Sequence, residues 1–361
     1  MKTSVVSNQR KVSEKKDASV FVPFASIHQF RHTKKAILET AAYVGQDEND
    51  EPILDYTLPK PKLTFSGGVK CHGSNGGIGY NPEQDYLWVQ SRKKIITPER
   101  DNAGFAFFVE QNKEVILNFM RWMTKEYKTG LLPIMIYGEW CGGNIQKGIA
   151  LNGLPKMFIL FDRFKVITPE YEENANIPWR SGHRPGFPLT ETNIYFIEDF
   201  PTFEVEIDFE SETSVAYAVN KMVEITQEVE KECPVGKQFG VSGIGEGVVW
   251  RCDDQVFKVK GEKHSVSKVK TLAAADPEKM ASLEKFVDYA VTNSRLEQGV
   301  KEVYGEQKPG REKIADFLRW VHRDIIKEEM DVMVESNIEP KEVGKMISNE
   351  ARRWFFEQEA K

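Results

Sequence analysis

The sequence predicts an α+β protein made of two unlike parts. Runs of β-branched and aromatic residues at Tyr86–Val89, Leu132–Trp140 and Met157–Val166 read as strands. Between the first two, Val115, Phe119, Trp122 and Met123 recur at helical spacing and predict an amphipathic helix over Lys113–Tyr127. Beyond Lys263 strand-like alternation stops. Pro277–Leu296, Arg311–Met330 and Pro340–Gln358 are all helical in period, and Ile314, Phe317, Leu318, Val321 and Ile325 make one apolar stripe.

Taken in order, residues 1–20 are polar and lysine-rich and predict a flexible tail, since they offer too little apolar surface to offset ordering entropy. Phe21–Phe30 carries enough apolar residues to dock on the domain that follows. Gln46–Pro52 is acidic and reads as a loop, and Lys62–Phe65 as a strand. Thr168–Glu191, rich in proline, charge and aromatics, reads as a surface insertion. Val215–Glu232 is a second helix, stopped before Pro234. Gly247–Cys252 and Val256–Gly261 form a hairpin turned at Asp253-Asp254. The expected domains are therefore 21–264 and a helical 265–361, in keeping with 361 residues.

Composition narrows the function. A formal net charge of −6 argues against a protein that simply coats nucleic acid, although a local basic groove can sit on an acidic chain. The four cysteines form no Cys-x-x-Cys pair and no ligand spacing with the six histidines, so a reducing compartment and no structural zinc are expected. No apolar run reaches membrane-spanning length and no signal peptide is evident.

The chemistry centres on Val69–Tyr80. Lys70 stands between a strand and a run of small residues, where Gly73, Gly76 and Gly77 would let backbone approach a ligand. An amine there is a phosphate clamp, a nucleophile, or a surface lysine before a glycine turn. Further motifs follow: Ile136–Trp140 with Glu139, Phe158–Asp162 with Phe161, Gly245–Trp250 with Glu246, and Phe257–Lys260. Lys258 and Lys260 alternate with Phe257 and Val259 and so share one strand face, where two ammoniums repel unless an anion lies between them.

This series resembles the covalent lysine nucleotidyltransferases, and within them the RNA ligase 2 family of bacteriophage T4 type. His72 carries the distinction: DNA ligases and capping enzymes have aspartate there, whereas the RNA ligase 2 group has Lys-x-His-Gly, as in Lys70–Gly73 followed by Ser74 and Asn75. The helical tail agrees, since DNA ligases and capping enzymes attach a β-rich OB domain instead. The resemblance implies a nucleotidyltransferase (ATP-grasp-like ligase) domain of antiparallel sheets and helices, then a small all-α domain.

It also implies an ATP-dependent RNA ligase joining 3′-OH and 5′-phosphate ends, with nicked duplex RNA as partner and an RNA/DNA hybrid as an alternative. Lys70 would take AMP covalently, made reactive by the nearby cations Lys258 and Lys260 or a metal ion. His72, Gly73, Asn75, Arg92, Glu139, Phe161, Glu246, Lys258 and Lys260 would bind the nucleotide, with the Phe161 ring on adenine. Glu246 and Glu139 would hold Mg²⁺, or Mn²⁺ in its place. Gln146-Lys147 matches a stretch after the glutamate motif, without an assigned role. A monomer in the cytoplasm is expected, the host's cytoplasm if the chain is phage-encoded. Val69, often acidic in the group, the 168–191 insertion and the long amino-terminal lead depart from the pattern. The competing readings are a DNA ligase or other nucleotidyltransferase, and a catalytically silent protein that binds nucleic-acid ends.

Overall fold

A computed structural model describes residues 19–170, 177–182, 186, 189–261, 283–305, 307–336 and 338–359. In chain order the elements are α1 (Phe30–Ala42), β1 (Tyr43–Gln46), β2 (Pro52–Leu54), β3 (Lys62–Val69), β4 (Ser74–Asn81), β5 (Tyr86–Ser91), β6 (Ile95–Ile96), α2 (Phe105–Gln111), α3 (Lys113–Glu126), β7 (Ile134–Cys141) and β8 (Met157–Val166). There follow β9 (Trp179–Ser181), β10 (Ile194–Phe196), β11 (Thr202–Asp208), α4 (Glu212–Lys231), α5 (Pro234–Gln238), β12 (Gly247–Cys252) and β13 (Gln255–Lys260). The chain then continues as α6 (Leu283–Ala290), α7 (Asn293–Tyr304), α8 (Ile314–Glu335) and α9 (Pro340–Glu359). The class is α+β, with antiparallel sheets and a helical carboxy-terminal region.

Two compact units interleave along the chain. The first comprises Ser74–Trp140, Phe158–Tyr195 and the segment ending at Phe24. Its sheet runs β10-β8-β7-β4-β5-β6, with β9 added on β8. β4 pairs antiparallel with β5 from Gly76 to Asn81 and with β7 from Ser74 to Tyr80. The run of small residues after Lys70 is thus a central strand rather than a loop. Its glycines make room for side chains of the sheet's own layers: a Cβ on Gly76 would strike the Phe105 ring, and one on Gly77 would strike Gln90 and Met135. The expected ligand approach at these two glycines is replaced by packing.

The predicted helix is α3, but its buried face is Ile116, Leu117, Phe119, Met120 and Met123. Of the four residues used to predict it, Phe119 and Met123 are on that face, Trp122 is half-buried and Val115 is exposed. The 168–191 insertion contributes β9, which pairs with β8 through Phe164↔Arg180. Residues 171–176, 183–185 and 187–188 of it lie outside the described residues, as do 1–18 of the predicted tail. Its last two residues lie against side chains of β5: Trp88 Nε1 donates to the Val20 carbonyl at 2.9 Å, and Ser19 Oγ is 3.2 Å from Tyr86 Oη.

The second unit holds a four-stranded sheet, β11-β3-β12-β13, with α4 beside it and α6–α9 in the same unit. β12 and β13 form the predicted hairpin, closed at Asp253 with φ +48°. Two features escape the sequence patterns. α1 follows directly from the docking segment, and β1 and β2 pair across the acidic loop, which is their turn. α1 packs on β13, with Phe30 and Phe257 ring centroids 5.0 Å apart.

The apolar stripe predicted for the tail is the centre of its own core. Phe317, Val321 and Ile325 are fully buried with Val343, Ile347 and Phe355. The expected helix at 277–296 is two helices, α6 and α7, where described; residues 277–282 lie outside. Thr292 divides them by capping α7, its Oγ1 accepting the Arg295 N–H at 3.3 Å. The expected 264/265 boundary also falls outside the described residues.

Candidate active site

Lys70 follows the last residue of β3, and its backbone N–H donates to the Gly247 carbonyl at 2.8 Å. β12 pairs with β3 through Val248↔Val69, and β13 pairs back through Gly247↔Lys260. Two segments distant in sequence, the end of β3 and the β12–β13 hairpin, are thereby brought to one end of a sheet. Gly247 makes this approach possible. Its φ is +150°, and a Cβ would collide with the Val259 carbonyl oxygen.

The side chains converge on Glu246, just before β12 and 2 % exposed. Its Oε2 accepts from Lys70 Nζ at 2.6 Å and lies 3.0 Å from His72 Nδ1, while Oε1 is 3.0 Å from Lys260 Nζ. Burial alone would push the Glu246 carboxyl up, but Lys70, Lys260 and His72 outweigh it and hold it well below the usual range. A carboxylate so held balances charge and orients donors; it is a weak proton acceptor.

The anion required between the strand-face lysines is therefore partly supplied by the protein. Lys260 shares the Glu246 carboxylate with Lys70, whose Nζ contacts Glu246 Oε2. Lys258 faces α8, with Glu328 Oε2 at 4.0 Å from its Nζ. Burial depresses Lys258 to about 8, against the pull of Glu328 and with help from Lys260 and Lys70. Gln146 gains a role, since its Nε2 donates to the Gly73 carbonyl at 2.9 Å and braces the turn after Lys70.

The remaining candidates lie in the first unit. Asn75 on β4 stands directly opposite Glu139 on β7. Asn75 Nδ2 reaches the Gly138 carbonyl at 3.5 Å, and its buried Oδ1 has no partner among the described residues. Phe161 on β8 is half-buried against Phe24, centroids 5.4 Å apart. Arg92 is exposed in the turn after β5. Among the described residues no three His, Cys, Asp or Glu side chains come together as a metal cage.

Sequence reading missed Arg31 and Glu328. Arg31 Nη2 donates to Glu329 Oε2 at 2.8 Å and to the Glu328 carbonyl at 2.5 Å, and its Nε donates to Asp331 Oδ2 at 2.5 Å. Arg31 also meets Tyr289 Oη at 3.1 Å. The clasp joins α1, packed on the lysine strand, to α8, and no local pattern announces a pair about 300 residues apart.

Comparison with known proteins agrees with the motif series. A family profile for RNA ligase matches residues 64–270, more than half of the chain. Among solved structures, Naegleria gruberi RNA ligase with pyrophosphate is 14% identical with TM-score 0.38, covering 68% of this chain and 57% of that one. A mutant of that ligase with ATP and Mn is 15% identical with TM-score 0.37, covering 67% and 57%. The chain thus spans just over half the length of these structures. No curated protein matches. On the family match, and on the order of Lys70, Glu139, Phe161, Glu246, Lys258 and Lys260 within it, the chain belongs to the RNA ligase family.

Proposed function

We propose that this chain is an ATP-dependent RNA ligase that seals 3′-OH/5′-phosphate breaks, nicks in duplex RNA above all, through AMP carried on Lys70. The observation that supports it most is the convergence of Lys70, His72 and Lys260 on one buried carboxylate, Glu246, at 2.6–3.0 Å. A lysine held this way is fixed in direction, and positioning is most of what phosphoryl transfer asks of a protein. The Lys70 ammonium loses a proton to solvent and its ion pair with Glu246, and the neutral amine then attacks the α-phosphate of ATP. The N–P bond forms as the bond to pyrophosphate breaks. AMP then passes to the 5′-phosphate end, and the 3′-hydroxyl displaces it.

Lys258 and Lys260 offer cations to the phosphates throughout. His72 and Gln146 keep the turn at Gly73 in place. Asn75, Glu139 and Phe161 are assigned to the nucleoside, and Arg92, exposed, to the nucleotide or the RNA ends. Glu246 already balances two ammoniums, so Mg²⁺ or Mn²⁺ fits as an ion carried on the phosphates with Glu139 or Glu246 as a single carboxylate, not as an all-protein site. Such an ion supplies charge neutralisation at the phosphates. Residues 21–264 are assigned the adenylylation chemistry and 265–361 the role of a helical domain, joined through the Arg31 clasp.

The test is mass spectrometry of the purified protein with ATP and Mg²⁺, before and after nicked RNA or DNA duplexes are added. Protein plus AMP, lost on adding nicked RNA and absent in Lys70→Ala, is expected. The 3′ side of the nick should be read through its 2′-hydroxyl, the group that separates RNA from DNA. Equal sealing of an all-DNA nick would mean a DNA ligase. A GMP adduct would mean a capping enzyme, and no adduct at all a silent end-binding protein.

A further inference from the structure

We propose that the β1–β2 hairpin, with the acidic turn it carries and Tyr56 just beyond it, is a docking site for an extended, Lys/Arg-rich segment of another protein. The inference goes beyond the ligase reading and does not depend on it.

The hairpin keeps its apolar side chains in solvent. No residue of 43–58 is buried. A two-stranded hairpin is marginal in water unless it packs on a further strand or a helix. Yet Tyr43, Val44, Ile53 and Tyr56 are each 46–58 % exposed. They are four of the twelve large apolar side chains exposed among the described residues, and they fall within one short stretch. Single exposed apolar residues are ordinary, whereas a cluster of them marks a contact surface.

The backbone of this surface is set in advance. The Asp55 N–H donates to the Ala42 carbonyl at 2.7 Å and closes the base of the hairpin, and the Asp47 N–H donates to the Glu51 carbonyl at 2.9 Å and closes its tip. Asp47 Oδ1 accepts the N–H of Asn49 at 2.8 Å and of Glu51 at 2.9 Å, and Asp55 Oδ1 accepts that of Thr57 at 2.9 Å. The two strands pair with each other alone, so each has an outer edge unpaired among the described residues. Neither strand carries a charged residue, the usual guard on an open edge. Pro52 takes one N–H from β2, which leaves β1 as the better edge for an added strand.

Charge selects the occupant. Asp47, Glu48, Asp50, Glu51 and Asp55 lie within 43–58, with no Lys, Arg or His among them. The N–H groups of Glu51 and Asn49 hold the Asp47 carboxyl below the usual carboxylate range, and Thr57 does the same for Asp55. Asp47 and Asp55 are thus spent on the turn, while Glu48 and Glu51 are exposed and in no ion pair among the described residues. Such a surface repels nucleic acid. A polypeptide in which Lys or Arg alternates with apolar side chains suits it: cations meet the acids, apolar groups cover Tyr43, Val44, Ile53 and Tyr56, and main chain pairs along β1.

The experiment follows the fluorescence anisotropy of a labelled peptide of alternating Lys and Val titrated with the full chain. The controls are a peptide of alternating Glu and Val, a peptide with the same Lys and Val gathered into two blocks, and single- and double-stranded RNA. Saturable binding of the alternating Lys/Val peptide, tighter than either control peptide, is expected. Tyr56→Ala, and Glu48→Lys combined with Glu51→Lys, should each weaken it by about tenfold, the scale of one lost interfacial anchor. Neither change should alter RNA binding. Ile53→Thr serves if Tyr56→Ala does not fold, with circular dichroism as the check. No saturable binding, equal binding of a control peptide, or an affinity unmoved in folded variants would overturn the proposal. RNA binding weakened by Tyr56→Ala would make the hairpin a nucleic-acid surface. A dimer in size-exclusion chromatography that the same variants dissolve would make it a contact between copies of this chain. Either result overturns docking of a basic partner.

Discussion

Glu246 and Lys70 are in contact at 2.6 Å, although 176 residues separate them in the chain. Glu246 also faces Lys260, so one buried carboxylate compensates two ammoniums. Glu246→Gln keeps the shape and removes the charge. It should lower unfolding stability by about 3 kcal/mol, the scale for breaking a buried ion pair from one side, and cut adduct formation. Urea unfolding followed by circular dichroism reads the first. A midpoint within error of the unmodified protein would mean that water, not Glu246, balances the two lysines.

Lys258 predicts a rise of stability in alkali. Its folded value is about 8 because burial disfavours the charged form, whereas an unfolded lysine titrates near ~10.4. Between these values the unfolded chain holds a proton the folded chain has released, so this residue's contribution increases with pH across that window. The full shift is worth about 3 kcal/mol, and partial solvent screening brings the expected change to roughly 1–2 kcal/mol. Lys258→Met should remove that part of the slope and should be more stable than the unmodified protein at pH 7. Parallel stability curves from pH 7 to 10.5 for the two proteins would refute it.

Arg31 joins α1 to α8 through a buried network that includes Arg295, whose Nη2 donates to Glu329 Oε1 at 2.8 Å. Burial lowers the tendency of Arg31 to stay charged, but Glu329, Tyr289 and Asp331 raise it past its ordinary value. Arg31→Ala should cost about 3 kcal/mol, since Glu329 is 0 % exposed and keeps only part of its compensation. Adding Glu329→Gln should recover some of the loss. Thermal unfolding of Arg31→Ala, Glu329→Gln and the double variant decides it: if the double variant loses the sum of the single losses, the pair is not coupled.

Gly247→Ala tests the approach of β12 to Lys70. The residue needs φ +150° and has the Val259 carbonyl where a Cβ would stand. A loss of roughly 1–3 kcal/mol is expected, the range for forcing strained backbone, together with slower adduct formation, because Glu246 is the preceding residue. A stable variant with an unchanged rate of adduct formation would show that the hairpin accommodates the methyl group elsewhere.

Much of the fold was legible because it is written in short-range periodicity. β8, the β12–β13 hairpin, α3 and the stripe of Phe317, Val321 and Ile325 need only neighbours a few residues apart to declare themselves. The cluster around Glu246 was legible one residue at a time, since Lys70, His72, Glu246 and Lys260 each sit in a recognisable local context, but their meeting was not. α1 was not, because its buried residues Phe30, Thr33, Ile37 and Ala42 mix polar with apolar and its packing on β13 does the work of burial.

What the chain order alone determined was the class, the longer periodic elements and the family. What only tertiary structure decided was partnership. Nothing near Lys70 says that Glu246 will meet it, nothing near Arg31 says that α8 will, and Phe24 and Trp179 meet each other and Tyr137 from segments that showed only docking and loop character. A side chain's local pattern reports which face it occupies. Its partner is chosen by strand register and by the desolvation that forces buried charges and ring edges to find complements across the fold.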